Sequence, residues 1–589
     1  MPIRRRDTRD RLTFELVESP GEDVDDEASW APVTAVPSAP RAARPATEDG
    51  AAPDGDQGDV HDAGSTTLGD QDREAAGRRR RRRTAVVATV SVGVVLVLGG
   101  MLAVDAWHAR GDLDRLRNAP GGIEPIPDAP RELWTVETGI LSGISVVRGG
   151  VVTVEDGEAV ARDLGSGEVR WRADVGTHGT CGAPALWTLP SGEPEGTLVC
   201  LTPRYDDPGD DSTTRIDPLT GERLDAVGWD LVVLADDGEV LGRRDLTPDG
   251  GRPSVGPGGT VLRVERVGEL PEGDGEPVEQ DPATGKVVGL PAGRDVVVTS
   301  EDALTGEERW RYELEFAPGA SGSCIAWSGE NGEETRADLE NLWALADGGF
   351  ARVEGCGISA WFDASGTRLD VPENPNDGIV RLADGSLYRD PESGGMDWGN
   401  AIGTDAPFRP AVLDAQGAVR WTPPGSLYLP EATDGSAPDL LLGRDGFELV
   451  AWDTAGTERW RTEVVGLPVT VGAVAGGVVV VPGTSGTLEG LDAATGRRVW
   501  TLEAADLALP GPGGVPRTSS PEQFFTDGER VVVTLSDWDA GTSSLVAVDL
   551  ADGTVAWREE PTPDGGTSWA VPLRGALLRM SETAVTRVG

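Results

Sequence analysis

Residues 131–589 of this 589-residue chain read as an all-β domain made of a repeat of about 40 residues, and three observations carry that reading. A turn motif ending in tryptophan recurs along the segment, with its best-spaced copies at Trp421, Trp460 and Trp500, 39 and 40 residues apart. The chain holds 18 Trp against 8 Phe and 4 Tyr, the mark of one structural position used many times. Short apolar runs of strand length, such as Val478–Val481, replace any sustained helical periodicity. Repeats of this period build propellers or solenoids.

The full motif stands at Asp163-Leu-Gly-Ser-Gly-Glu-Val-Arg-Trp171, Asp302-Ala-Leu-Thr-Gly-Glu-Glu-Arg-Trp310, Asp492-Ala-Ala-Thr-Gly-Arg-Arg-Val-Trp500 and Asp549-Leu-Ala-Asp-Gly-Thr-Val-Ala-Trp557. Copies one residue shorter end at Trp421 and Trp460, and copies without Trp start at Asp217, Asp281 and Asp363. Glycine supplies the left-handed conformation a tight turn needs, and the aspartate carboxylate bonds the turn amides. The tryptophan then lies on the strand leaving the turn, where its ring can wedge against the next repeat. Strand, turn, strand, Asp turn and Trp strand, with one strand ahead of them, make a four-stranded antiparallel blade. Blade ends at Trp171, Leu224, Trp310, Leu369, Trp421, Trp460, Trp500 and Trp557 give a single propeller of eight four-stranded blades, seven being also compatible. The copy at Asp281 lies too close to Asp302 for a blade of its own and reads as an insertion. Trp134 has no turn before it, so its strand is expected to complete a blade with C-terminal residues 571–588, removing free edges from the ring.

Composition divides the rest. Residues 1–77 carry 18 acidic and 8 basic side chains with little apolar sequence and read as a disordered acidic tail. One apolar cluster within it, Leu12–Val17, is a candidate motif for a cytoplasmic partner. Arg78–Arg83 then precede Thr84–Val104, which has no charge. Twenty-one residues at about 1.5 Å each reach about 30 Å, the hydrocarbon thickness of a bilayer. The arginines hold the tail inside, so the sequence predicts a single-pass cell-membrane protein with a cytoplasmic N-terminus and an extracellular propeller. Residues 105–130, charged and then proline-rich, read as an extracellular stalk.

Net charge of −48 opposes phosphate backbones and argues against nucleic-acid binding. The four cysteines all lie in the ectodomain, an oxidising compartment, and the favoured pairing is Cys181–Cys200 with Cys324–Cys356. His178 is the one histidine beyond the stalk, too few for a His-rich metal site or a His-based triad, and it reads as a loop residue. The acidic cluster Asp206, Asp207, Asp210 and Asp211 has the chemistry of a calcium loop but reads more simply as a solvated one.

The Asp-x-x-Thr-Gly-x-x-x-Trp pattern resembles the tryptophan-docking repeat of the PQQ-binding-like β-propeller family over residues 131–589. The order of tail, arginines, span and propeller resembles membrane-anchored members from actinobacteria. The resemblance implies the propeller fold and a docking role for Trp134, Trp171, Trp310, Trp421, Trp460, Trp500 and Trp557. Quinoprotein dehydrogenases of the family use PQQ, calcium, a catalytic aspartate and a disulfide between adjacent cysteines. This sequence has no Cys-Cys pair and no assignable calcium set, with Asn331, Asn341, Asn374, Asn376 and Asn400 its few asparagines past the stalk. The expectation is a non-catalytic binding or scaffolding module with no cofactor, no catalytic residue and no metal site, engaging proteins or glycans of the cell envelope, with sensing of an envelope ligand as a second role. A PQQ-dependent or other propeller-based enzyme is the alternative.

Overall fold

The computed structural model describes residues 110–137, 144–182, 196–205, 226–280, 287–288, 290–317, 324–328, 334–347, 349–369, 378–390, 410–464, 470–483, 486–510, 516–517, 520–537, 542–560, 562–563, 569–581 and 583–589. The tail, the Arg78–Arg83 run and the Thr84–Val104 span lie outside them. Among the described residues no helix is long and apolar enough to cross a membrane.

The domain is all-β. Among the described residues nine sheets of three or more strands, antiparallel but for one added strand, follow one another in sequence. Sheet 1 is Ser145–Val147, Gly150–Glu155, Glu158–Asp163 and Val169–Asp174. Sheet 2 is Thr180–Cys181, Thr197–Arg204, Gly228–Ala235 and Val240–Leu246. Sheet 3 is Arg252–Gly256, Thr260–Val267, Asp295–Asp302 and Glu308–Leu314, and sheet 4 is Leu342–Asp347, Phe350–Gly355 and Ile358–Phe362. Sheet 5 runs from Gly378 to Trp421 and sheet 6 from Leu427 to Glu463. Sheet 7 has Ala473–Ala475, Val478–Pro482, Leu488–Asp492 and Arg498–Leu502, joined on its inner edge by the parallel strand Ala432–Thr433. Sheet 8 is Ser520–Thr526, Arg530–Asp537, Thr542–Asp549 and Val555–Arg558. Sheet 9 joins Trp569–Leu573, Ala576–Ser581 and Ala584–Val588 to Glu132–Glu137 from the other end of the domain.

This last pairing is the closure that the lone Trp134 strand predicts. Among the described residues the sheet completed by the Trp134 strand stands beside eight others that carry a turn motif. The end expected near Leu224 also moves. The outer strand of sheet 2 is Val240–Leu246, after a turn at Gly238, while the Asp217 copy falls in 206–225, outside the described residues. The Asp281 copy falls in 281–286, outside the described residues, within the connection from Val267 to Asp295 whose described part includes the paired strands Glu279–Gln280 and Val287–Val288.

The core is divided by sheet. Val152, Ala159 and Ala161 of sheet 1 pack on Leu198, Cys200 and Val232 of sheet 2. Similar clusters join each sheet to the next as far as sheets 8 and 9. A further one joins Leu573, Leu578 and Met580 of sheet 9 to Val151 and Leu164 of sheet 1. Both faces of a strand such as Val478–Val481 are therefore buried, which explains its unbroken apolar run.

The stalk is partly a piece of the domain. A helix over 110–118 leads into residues 119–127, which lie against sheets 7, 8 and 9. The Thr433 amide donates to Pro120 O at 2.8 Å, the Thr526 amide to Gly121 O at 2.9 Å, and the Glu124 amide to Gly575 O at 2.7 Å. Ile123 is fully buried and Ile126 nearly so, in the cluster between sheets 8 and 9. The boundary expected at residue 131 thus moves toward the N-terminus, because apolar side chains hidden among prolines and glycines find their burial only between sheets 8 and 9. Burial of two isoleucines is worth roughly 3–6 kcal/mol. A fragment of residues 131–589 is therefore expected to melt well below one of residues 110–589 in a calorimetric comparison, and Ile123→Asp in the longer fragment should reproduce most of the loss.

Candidate functional site

Two arrangements carry the functional reading: the repeated tryptophans between sheets, and a module built from two insertions. The turn that presents each tryptophan's seat is made by aspartate. Asp492 Oδ1 accepts from the Thr495 amide at 2.9 Å and from its hydroxyl at 2.7 Å. Asp302 accepts in the same way from Thr305, and with Arg309 donating to its other oxygen its carboxyl is held down at about 2. Gly496 closes the turn at φ 70°, a conformation that favours glycine.

Each tryptophan reaches across to the turn of the following sheet. A Cβ placed on Gly238 would fall 2.6 Å from the ring of Trp171, whose Nε1 donates to Asp236 O at 2.8 Å. The same relation holds for Trp134 on Gly167, Trp421 on Gly456 and Trp500 on Gly553, at 2.6, 2.7 and 2.7 Å. Trp310 on Gly366 and Trp460 on Gly496 approach closer still. The glycine is needed twice, for its backbone and for the ring it lets in. Trp557 differs: its Nε1 donates 2.7 Å to Ile126 O, on the segment that precedes sheet 9. In seven sheets the register shifts between the third and fourth strands, at Ala161/Arg162, Val233/Leu234, Ser300/Glu301, Val412/Leu413, Ala451/Trp452, Gly490/Leu491 and Ala547/Val548. Such an irregularity sharpens twist and re-aims side chains.

Sequence reasoning missed one such seat. Between sheets 2 and 3 the motif's Trp position holds Gly242, and Arg244 takes over: its guanidinium covers Gly306 and donates to Asp302 O, Ala303 O and Glu301 Oε2 at 3.1, 3.2 and 2.9 Å. The signal was Asp236-Asp-Gly238, a copy of the turn without its aromatic residue.

The module is made by the connections 268–294 and 315–341. The Gly275 amide donates to Ala337 O and the Ala337 amide to Glu276 O, so the two connections pair with each other. Both expected disulfides are formed. Cys181 and Cys200 are register partners on adjacent strands of sheet 2. Cys324–Cys356 ties the hairpin Ile325–Ser328/Glu334–Ala337 to the turn between the last two strands of sheet 4. Beneath it Arg266, its guanidinium pulled below the ordinary value by burial, donates to Arg294 O, Asn341 O and Cys356 O at 2.8, 2.9 and 2.7 Å. Beside the module lies a cavity of about 250 Å³ lined by Tyr312, Glu313, Glu315, Gly357, Ser359 and Arg368. The Arg368 guanidinium sits 5.9 Å from the Tyr312 ring centroid. Two carboxylates, a guanidinium and two hydroxyls suit a small polar ligand group, not an apolar one.

A second buried ionisable group stands where Ala432–Thr433 meets sheet 8. Burial pushes the Glu431 carboxyl up to about 7, against hydrogen bonds from the Phe524 amide and the Thr470 hydroxyl. Among the described residues no group of three or more His, Cys, Asp or Glu is placed to hold a metal ion. Asp206, Asp207, Asp210 and Asp211 lie outside those residues. His178 occupies a turn at φ 65° between sheets 1 and 2.

Residues 390–580 match the family model described as outer membrane protein assembly factor BamB, PQQ_2. These residues carry PQQ-like β-propeller repeats. A curated relative, outer membrane protein assembly factor BamB of Nitrosomonas eutropha, is 28% identical over 131 residues, 22% of this chain and 29% of that protein's length. BamB from Moraxella catarrhalis is a similar solved structure at 12% identity, covering 78% of this chain and 99% of that one with a TM-score of 0.31. Quinohemoprotein alcohol dehydrogenase from Comamonas testosteroni is another, at 11% identity over 79% and 78% of the two chains with a TM-score of 0.30.

Truncating a packed tryptophan costs about 3–5 kcal/mol. Trp460→Ala, at a site 7% exposed, should therefore lower the melting temperature of a fragment of residues 110–589 by several degrees, read by calorimetry, while an exposed control such as Phe447→Ala leaves it unchanged. Glu431 sets a pH dependence. Its folded pKa lies above the unfolded value of 4.5, so the folded state keeps a proton that the unfolded chain has lost between pH 4.5 and about 7. Stability is then highest below pH 4.5 for this group and declines as pH rises through 7, by up to roughly 3 kcal/mol. Glu431→Gln should remove that decline and raise stability at pH 8, measured by urea titration across the range.

Proposed function

We propose that this chain is a membrane-anchored, non-catalytic binding or scaffolding module of the cell envelope. In this reading the Thr84–Val104 span crosses the cell membrane with the tail inside, and the domain outside is one propeller ring. The nine sheets serve as its blades, in place of the eight or seven expected, since sheet 9 packs on sheet 1 through Leu578 and Val151 as each other sheet packs on its successor. The relative of known name is an outer membrane protein assembly factor, which supports protein partners over glycans.

One observation carries the non-catalytic part. Trp134, Trp171, Trp310, Trp421, Trp460 and Trp500 are spread one to an interface, each spent on a neighbouring turn glycine. A cofactor needs a single convergent site, whereas a ring of sheets needs a wedge at every joint. Trp134, Trp171, Trp310, Trp421, Trp460, Trp500 and Trp557 are structural docking residues in this proposal. The cavity at Tyr312, Glu315 and Arg368 offers charged and hydroxyl groups that could recognise a partner's polar group.

PQQ with Ca²⁺ should leave the melting temperature of the ectodomain unchanged, because a ligand without affinity for the folded state cannot shift its stability. Cross-linking in native membranes should join envelope proteins to the propeller equally well with and without residues 1–77. An upward shift with PQQ, or reduction of a dye by the purified domain, would return the reading to a dehydrogenase.

A further inference from the structure

The strands of each sheet alternate in direction, so the turn after the first strand and the turn after the third lie at the same end. Four contacts show it: the amides of Leu164, Ala303, Ala493 and Leu550 donate to Gly149, Gly259, Gly477 and Glu529 O, each joining one kind of turn to the other. The segment 110–127 docks at this same end. Arg115 Nε donates to Asp434 O at 3.1 Å, the Ile123 amide to Thr526 O at 2.8 Å and the Glu124 amide to Gly575 O at 2.7 Å. Thr526 and Gly575 stand at the turns after the first strands of sheets 8 and 9. Glu124 is held further by Arg117 and by Arg587 at 2.6 and 3.1 Å.

The opposite ends carry the rest. The four longest connections, 205–227, 268–294, 315–341 and 391–410, all leave from there, as do the disulfide at Cys356 and the cavity beside Gly357. The longest connection on the docking side is shorter, 182–196.

We infer that the propeller is held with its tight-turn face toward the membrane and presents the disulfide-stapled insertions and their polar cavity outward. The inference rests on the anchoring proposed above. Five residues, 105–109, separate Val104 at the end of the span from Arg110. They reach at most about 20 Å, so the docked segment stays close to the lipid surface. The tether arrives beside the first strands of sheets 7 to 9 and is locked there by buried Ile123, which leaves the ring little freedom to turn over. Strands of eight residues, such as Thr260–Val267, span about 26 Å, so the two faces differ in height by that much. A partner approaching from outside meets the turn at Cys356 and the cavity beside Gly357 first.

The test uses the full chain reconstituted in phosphatidylcholine vesicles containing a lipid with a nitroxide on its headgroup. Single cysteines carry a fluorophore at Arg148→Cys and Glu529→Cys on the tight-turn face, and at Thr177→Cys and Phe447→Cys on the other. Quenching is expected to be at least twofold greater at Arg148 and Glu529 than at Thr177 and Phe447. Adding Ile123→Asp, which frees the docked segment, should bring the four sites toward equal quenching. Equal quenching in the otherwise unaltered chain, or stronger quenching at Thr177 and Phe447, overturns the orientation. If the chain fails to float with the vesicles, the anchoring reading fails and the orientation with it, a result distinct from flotation with the wrong pattern.

Discussion

The contact on which this domain depends is a tryptophan ring laid over the glycine of a neighbouring turn. It joins sheets that share no backbone ladder, adding at six joints an aromatic wedge to the aliphatic clusters that cover the faces of each sheet. The glycine admits the ring, the aspartate before it holds the turn with its carboxylate, and the register shift beside it aims the strand that carries the next tryptophan. At Trp500 all the parts meet: Gly553 beneath the ring, Leu550 O accepting from Nε1 at 2.8 Å, and a shift at Gly490/Leu491. Repetition spreads stability over many equivalent joints, and the domain tolerates variation at any one of them. Arg244 shows how far that tolerance runs, since a guanidinium bonded to three oxygens replaces an indole.

Closure sets the second constraint. A row of sheets ends in two exposed edges, and here both are answered by the same end of the chain. Glu132–Glu137 completes sheet 9, and residues 119–127 fill the joint between sheets 8 and 9 where Trp557 would otherwise have no partner for its Nε1. Arg131 and Gly589 exchange amide hydrogen bonds at 3.1 Å, so the domain is fastened where its N-terminal segment enters. Folding is thereby made non-local: residues more than 400 apart in sequence must meet before sheets 8 and 9 are joined to the N-terminal segment.

Acidity is used more than once. The repeated aspartates shape turns, and Arg309 and Arg461 each hold carboxylates of their own sheet at 2.6 Å. Exposed pairs of this kind contribute little each to stability. Their effect is on the edges, where charge on an outer strand such as Glu308–Leu314 discourages pairing with another molecule.

The repeat, its tryptophans, the strand that completes sheet 9 and the Cys181–Cys200 pair were legible in the linear order of residues, because each follows from local chemistry: a turn needs Asp and Gly at fixed offsets, a two-faced strand needs apolar residues on both sides, and two cysteines flanking one turn meet on neighbouring strands. What needed the tertiary structure was every feature whose partner is distant. Ile123 and Ile126 look like strays among prolines until sheets 8 and 9 enclose them. Arg244 looks like any surface arginine until Gly306 lies beneath it. Glu431 is one acid among many until burial beside Phe524 raises its pKa, and the pairing of the connection 268–294 with 315–341 has no sequence pattern at all. Local turns obey short-range rules that a sequence displays, whereas burial and docking depend on which distant surfaces the closed arrangement brings together.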